Sequence, residues 1–131
     1  MVIPSYWTRE SSIGWKEGDF VYDHPTPLDM EGTLQRAIES IGILNDKDFR
    51  LVIIAAPTSE DIGDEVEKKV ADIIRSAAPT AGVEVLLFGP SHLKQIHDML
   101  ISAGKDDSAD LLKLVGYLNI RNLCMFIPHI M

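Results

Sequence analysis

The sequence predicts a doubly wound α/β domain, and three observations carry that prediction. Short aliphatic runs bounded by Pro, Gly or polar residues recur at residues 2–6 ("VIPSY"), 50–56 ("RLVIIAA") and 83–88 ("VEVLLF"), the pattern of buried strands. The middle run is apolar at successive positions, so it would be covered on both faces, as strands of parallel sheets are. The stretches between them repeat with a helical period. The resulting order, β-α-β-α-β-α-α, folds through right-handed crossovers into a three-layer Rossmann-like arrangement: a parallel sheet of three strands in the order 3-2-1, with flanking helices and the first strand at an open edge.

Each element follows from local chemistry. Over residues 30–44, Leu34, Ala37, Ile38 and Ile41 share one helical face, with Asp29 as the expected N-cap after Pro27. Over 60–77 the apolar face is Ile62, Val66, Val70, Ile73 and Ile74, preceded by Thr58 and Asp61 at capping-box spacing. A third helix is expected over 91–103, opened by Ser91 after Gly-Pro and closed before Gly104. A fourth starts near Ser108 and is apolar on nearly every side through Phe126, until Pro128 stops it. Residues 7–29 show no period, and their Trp7, Trp15, Phe20, Tyr22 and His24 are able to pack. Two readings stand for this stretch: an excursion folded over the core, or a ligand-facing loop.

Composition sets the outer limits. At 131 residues and 46% hydrophobic content the chain, 1–131, is one domain with material for a core. A net charge of −8, with no cluster of Lys or Arg, excludes a nucleic-acid binder. No apolar run is long enough for a membrane span, and the N-terminus lacks the basic region of a signal peptide, so a cytoplasmic location is expected. Cys124 is the single cysteine and lies in an apolar run, where a thiol acts as a small hydrophobe.

Ligands of parallel α/β sheets sit beyond the carboxyl ends of the strands. Those ends read Ser5-Tyr6-Trp7, Ala56-Pro57-Thr58-Ser59-Glu60-Asp61 and Phe88-Gly89-Pro90-Ser91. None is a dinucleotide loop or a Walker A loop, and none offers the acceptor aspartate of a phosphorelay receiver. His92 and His97 are five residues apart, the wrong spacing for a metal pair on a helix, and no Ser-His-Asp constellation stands out. Arg121 is conspicuous within an apolar helix. A guanidinium buried there requires either a carboxylate partner or an anionic ligand such as a phosphate or diphosphate.

Taken together, these stretches resemble the N-terminal half of family 2 glycosyltransferases of the GT-A fold. "VIPSY" resembles the opening strand, with Trp7 where asparagine is usual; "TLQRAIESI" resembles the following helix, "FRLVIIAAPTSED" the second strand with its turn, and "NIRNL" the Ala-Arg-Asn segment before strand four. The resemblance implies a partial GT-A fold and a nucleotide-diphosphate sugar as ligand. Pro4, Ser5 and Tyr6 would border the nucleoside, Thr58 and Glu60 would stand in the later part of the acidic pattern after strand two, and Arg121 would approach the base or diphosphate. The acidic pair usual in that pattern is replaced by Ala55, Ala56 and Pro57. A divalent metal, Mg²⁺ or Mn²⁺, would be held by an Asp-x-Asp motif in the next strand, which this chain stops short of. The metal is therefore expected in a longer protein only, and this fragment is expected to hold none and to be inactive alone. The alternative is a non-catalytic Rossmann-like module that docks a partner through its apolar C-terminal helix. Self-association through the edge of the first strand or through that helix is expected under either reading.

Overall fold

A computed structural model describes residues 1–130. Four parallel strands form one sheet: β1 (Val2–Thr8), β2 (Thr26–Pro27), β3 (Leu51–Pro57) and β4 (Val85–Phe88), in the order β2-β1-β3-β4. The expected order holds for the three long strands, but the expectation of three strands with the first at a free edge does not. β2 pairs with Trp7 and Thr8 at the carboxyl end of β1, and two residues that include a proline are too few to leave a periodic signal. Every residue of β3 is buried, in keeping with its uninterrupted apolar run.

The helices are α1 (Leu34–Ser40), α2 (Gly63–Ala81), α3 (Pro90–Ser102), α4 (Asp106–Ala109) and α5 (Tyr117–Phe126), with single 3₁₀ turns at Ile41–Ile43, Glu60–Ile62 and Ile127–His129. Thr33, not Asp29, is the N-cap residue of α1; the Asp29 carboxylate instead accepts from the amide and hydroxyl of Ser11. α2 runs past Pro79, which sits in the last turn, where a missing amide costs only one intrahelical bond. Gly82 then ends it at φ +67°, and the Lys47 ammonium donates to the carbonyls of Ala81 and Ile41, closing two helical C-termini. The single helix expected from Ser108 to Phe126 is broken. Gly116 adopts φ +97°, a conformation that side chains resist, and a new helix starts behind it.

The sheet separates two cores. On one face α1 and α2 cover Trp7, Leu51, Ile53 and Ala55; on the other, α5 and Leu93 of α3 cover Val52, Ile54, Ala56 and Phe88. The steps β1 to β3 and β3 to β4 move one way across the sheet, so right-handed crossovers put α1 and α2 on one side. After β4 the chain returns along the opposite side, and α5 comes back over β1 and β3. Fully buried Ile53, Ile54, Ile120, Leu123 and Ile127 each contribute about 1.5–3 kcal/mol of transfer free energy.

Candidate functional site

The carboxyl ends of β1 and β3 meet the start of α5, and the segment after β1 folds over all three. Arg9 directly follows β1. It is 7% exposed, and its guanidinium lies between two carboxylates: Nε and Nη2 donate to Asp19 at 2.9 and 2.7 Å, Nη1 and Nη2 to Asp61 at 2.8 Å each. These bonds hold the carboxyls of Asp19 and Asp61 below the usual carboxylate range and raise the guanidinium further above neutrality. Asp61 thus serves as a tether for Arg9, and the capping box read from Thr58 and Asp61 does not form.

The next contacts extend the same segment. The Phe20 amide donates to the Thr58 carbonyl at 2.7 Å, the Gly116 amide donates to the Tyr22 hydroxyl at 2.8 Å, and the Asp23 amide donates to the Tyr117 hydroxyl. Tyr6, Phe20, Tyr22 and Tyr117 form one aromatic cluster with centroids 4.6–5.7 Å apart. Burial pushes the Tyr22 phenol up to about 12 and raises those of Tyr6 and the Cys124 thiol. Of the two readings for residues 7–29, the excursion packed over the core describes this arrangement.

Beside this roof lies an apolar cavity of about 260 Å³, beyond the carboxyl end of β3 and against the first turns of α2 and α3. Pro57, Gly63, Pro90, Leu93, Leu114 and Val115 line it, with Glu60, Lys94 and His97 as its polar groups. Lys94 pairs with Asp98 at 2.7 Å. His97 Nε2 lies 2.9 Å from the Leu112 carbonyl, which only accepts, so that nitrogen carries the proton. The N-terminus of α3 already has its anion: the Glu67 carboxylate accepts from the amide and hydroxyl of Ser91.

The six residues expected to bind ligand are not brought together. Glu60 is exposed and lines the cavity. Thr58 is 2% exposed, bonded through its backbone to Trp7 and Phe20, and out of a ligand's reach. Pro4, Ser5 and Tyr6 border a separate cleft of about 190 Å³ with His24 and Thr26, beside β1. Ser5 and Tyr6 occupy alternate positions of a strand and so point to opposite faces: the Ser5 hydroxyl accepts from the Trp7 indole at 2.8 Å, while Tyr6 packs toward α5. Arg121, read as buried within an apolar helix, is exposed, and among the described residues it has no ion pair. The buried arginine of the site is Arg9. Its sequence signal was faint, because "TRESS" reads as polar loop and its partners lie 10 and 52 residues away.

Among the described residues no group of three or more His, Cys, Asp or Glu side chains is placed to hold a metal ion. No helix is long and apolar enough to cross a membrane. No protein-family model, curated protein or solved structure matches the chain.

Proposed function

We propose that this chain is the nucleotide-sugar-binding half of a glycosyltransferase, the activity that the resemblance to family 2 and the GT-A fold implies. One observation carries the reading. The segments that follow β1 and β3 and the head of α5 meet at the carboxyl end of a parallel sheet, where ligands of such sheets bind. The cavity beside them has the size and apolar lining suited to one flat ring system. Glu60 would accept from ring N–H groups at its edge, and Lys94 would face the anionic end of the ligand. The described residues would supply positioning of the ligand.

The test is a titration of this chain with a panel of nucleoside diphosphates and Mg²⁺, followed by amide chemical shifts. Shifts concentrated on Glu60, Leu114 and Val115 are expected for at least one base. Glu60→Ala should weaken that binding about tenfold, the scale of one charge-assisted hydrogen bond. An unchanged spectrum with every diphosphate at millimolar concentration rejects the reading.

A second reading has its own observation. α5 exposes Leu118 (76%) and Met125 (69%), and residues 111–130 contain no Asp or Glu although the whole chain has 20. A module that docks a partner through this face would show such an apolar, acid-free surface. It predicts association that Leu118→Glu with Met125→Glu abolishes, with no nucleotide binding.

A further inference from the structure

We infer that residues 19–23 form a clasp that ties two walls of the 260 Å³ cavity together, so that order at one of these walls depends on order at the other. The inference stands whether or not a nucleotide is the ligand. One wall is the β3–α2 turn, with Pro57 and Glu60; the other is the segment leading into α5, with Leu114 and Val115. The clasp grips the first wall through Asp19, bonded via Arg9 to Asp61, and through the Phe20 amide on the Thr58 carbonyl at 2.7 Å. Two residues later it grips the second wall, where the Tyr22 hydroxyl accepts the Gly116 amide at 2.8 Å in a buried position and the Asp23 amide meets the Tyr117 hydroxyl.

The two grips are mechanically joined. Phe20 and Tyr22 pack ring to ring at 4.8 Å, and both rings touch Tyr117, at 5.7 and 5.0 Å. The Phe20 ring also lies in van der Waals range of Gly116, 3.4 Å from where an added Cβ would stand. No slack lies between the grips, because Phe20 engages one wall through its backbone and the other through its ring. Loosening either grip therefore frees the residues of both, a reciprocal coupling between sites.

The experiment perturbs one grip and reads the other by amide hydrogen exchange in the full chain. Asp61→Ala removes a carboxylate whose side chain is 60% exposed, so the fold should survive. The expected result is faster exchange of the Gly116 amide, by roughly tenfold, although Asp61 does not touch it. Tyr22→Phe removes only the acceptor of the Gly116 amide, and the expected result is faster exchange of the Phe20 amide at the opposite grip. Amides of Ile53 and Ile54 in β3 should keep their native rates in both variants. Two outcomes overturn the clasp: each substitution affecting only its own end, or β3 amides accelerating in parallel, which would mean global unfolding.

Discussion

At the scale of single residues, chemistry at this end of the sheet turns on Arg9. Two carboxylates satisfy one buried guanidinium, and the exposed one, Asp61, keeps the group within reach of water. The pair makes a prediction about acid. Both carboxyls ordinarily titrate near 3.8 and are held lower in the fold, mainly by the hydrogen bonds of Arg9. Their stabilisation is complete above the ordinary value, where both states are ionised. It is lost as pH falls through the lowered values, because the unfolded chain takes up protons first. Melting temperature should therefore drop between about pH 4 and pH 2, and less steeply in Asp61→Ala than in the native chain. Parallel melting curves across that range would show that Asp61 contributes nothing to the acid sensitivity. Arg121 drew notice because apolar neighbours surround it in sequence, yet on a helix that buries a single side such neighbours do not imply burial. The arginine that is buried lies among polar residues, where sequence patterns carry no information about partners distant along the chain.

At the scale of elements, the three long strands and the first two helices were legible because each has an apolar run or period of its own, and the third helix because Gly-Pro and Gly104 mark its ends. Val66, Val70 and Ile73 of α2 are buried as their spacing predicts. The last helix misled because its apolar residues surround the axis, so spacing alone could not identify the inward side. Packing chose Ile120 and Leu123, leaving Leu118 and Met125 exposed. The break ahead of it depends on Gly116. An alanine there would meet φ +97°, the Phe20 ring and the Asn119 amide, each 3.4 Å from its Cβ. Gly104, at φ +71°, has nothing within 4 Å of an added Cβ. Gly116→Ala should cost roughly 1–3 kcal/mol, whereas Gly104→Ala should cost about 1 kcal/mol from backbone strain alone. Denaturant melts of the two variants compare them directly, and equal losses would mean that the backbone at φ +97° is no costlier for alanine than that at φ +71°.

At the scale of the whole molecule, the sheet is closed on one side of β1 and half closed on the other, a feature the sequence hid because β2 has only two residues. Direction along β1 follows from two hydrogen bonds: Val52 donates to the Met1 carbonyl and Thr58 to the Trp7 carbonyl. Odd-numbered residues of β1 therefore turn their backbone groups toward β3, and even-numbered ones turn theirs outward. Thr8 finds β2 there, since Leu28 donates to its carbonyl at 3.1 Å. Val2 has no strand opposite it in the chain, Tyr6 meets β2 only on its carbonyl side, beside the Trp7–Thr26 pair, and Pro4, the outward residue between them, has no amide to offer, which blunts the edge against pairing. Amide exchange along β1 should therefore alternate. Ile3, Ser5 and Trp7 are expected to be protected with the core of the sheet, while Tyr6 exchanges at least about a hundredfold faster than Ser5, as an amide without a ladder partner does. The same measurement decides whether two chains pair through this edge. A Tyr6 amide that slows as protein concentration rises, with Ser5 unchanged, means that a second chain supplies the missing strand. A Tyr6 rate independent of concentration means that association, if light scattering detects it, uses the exposed face of α5 instead. Uniform protection along β1 in dilute solution would contradict the half-open sheet itself.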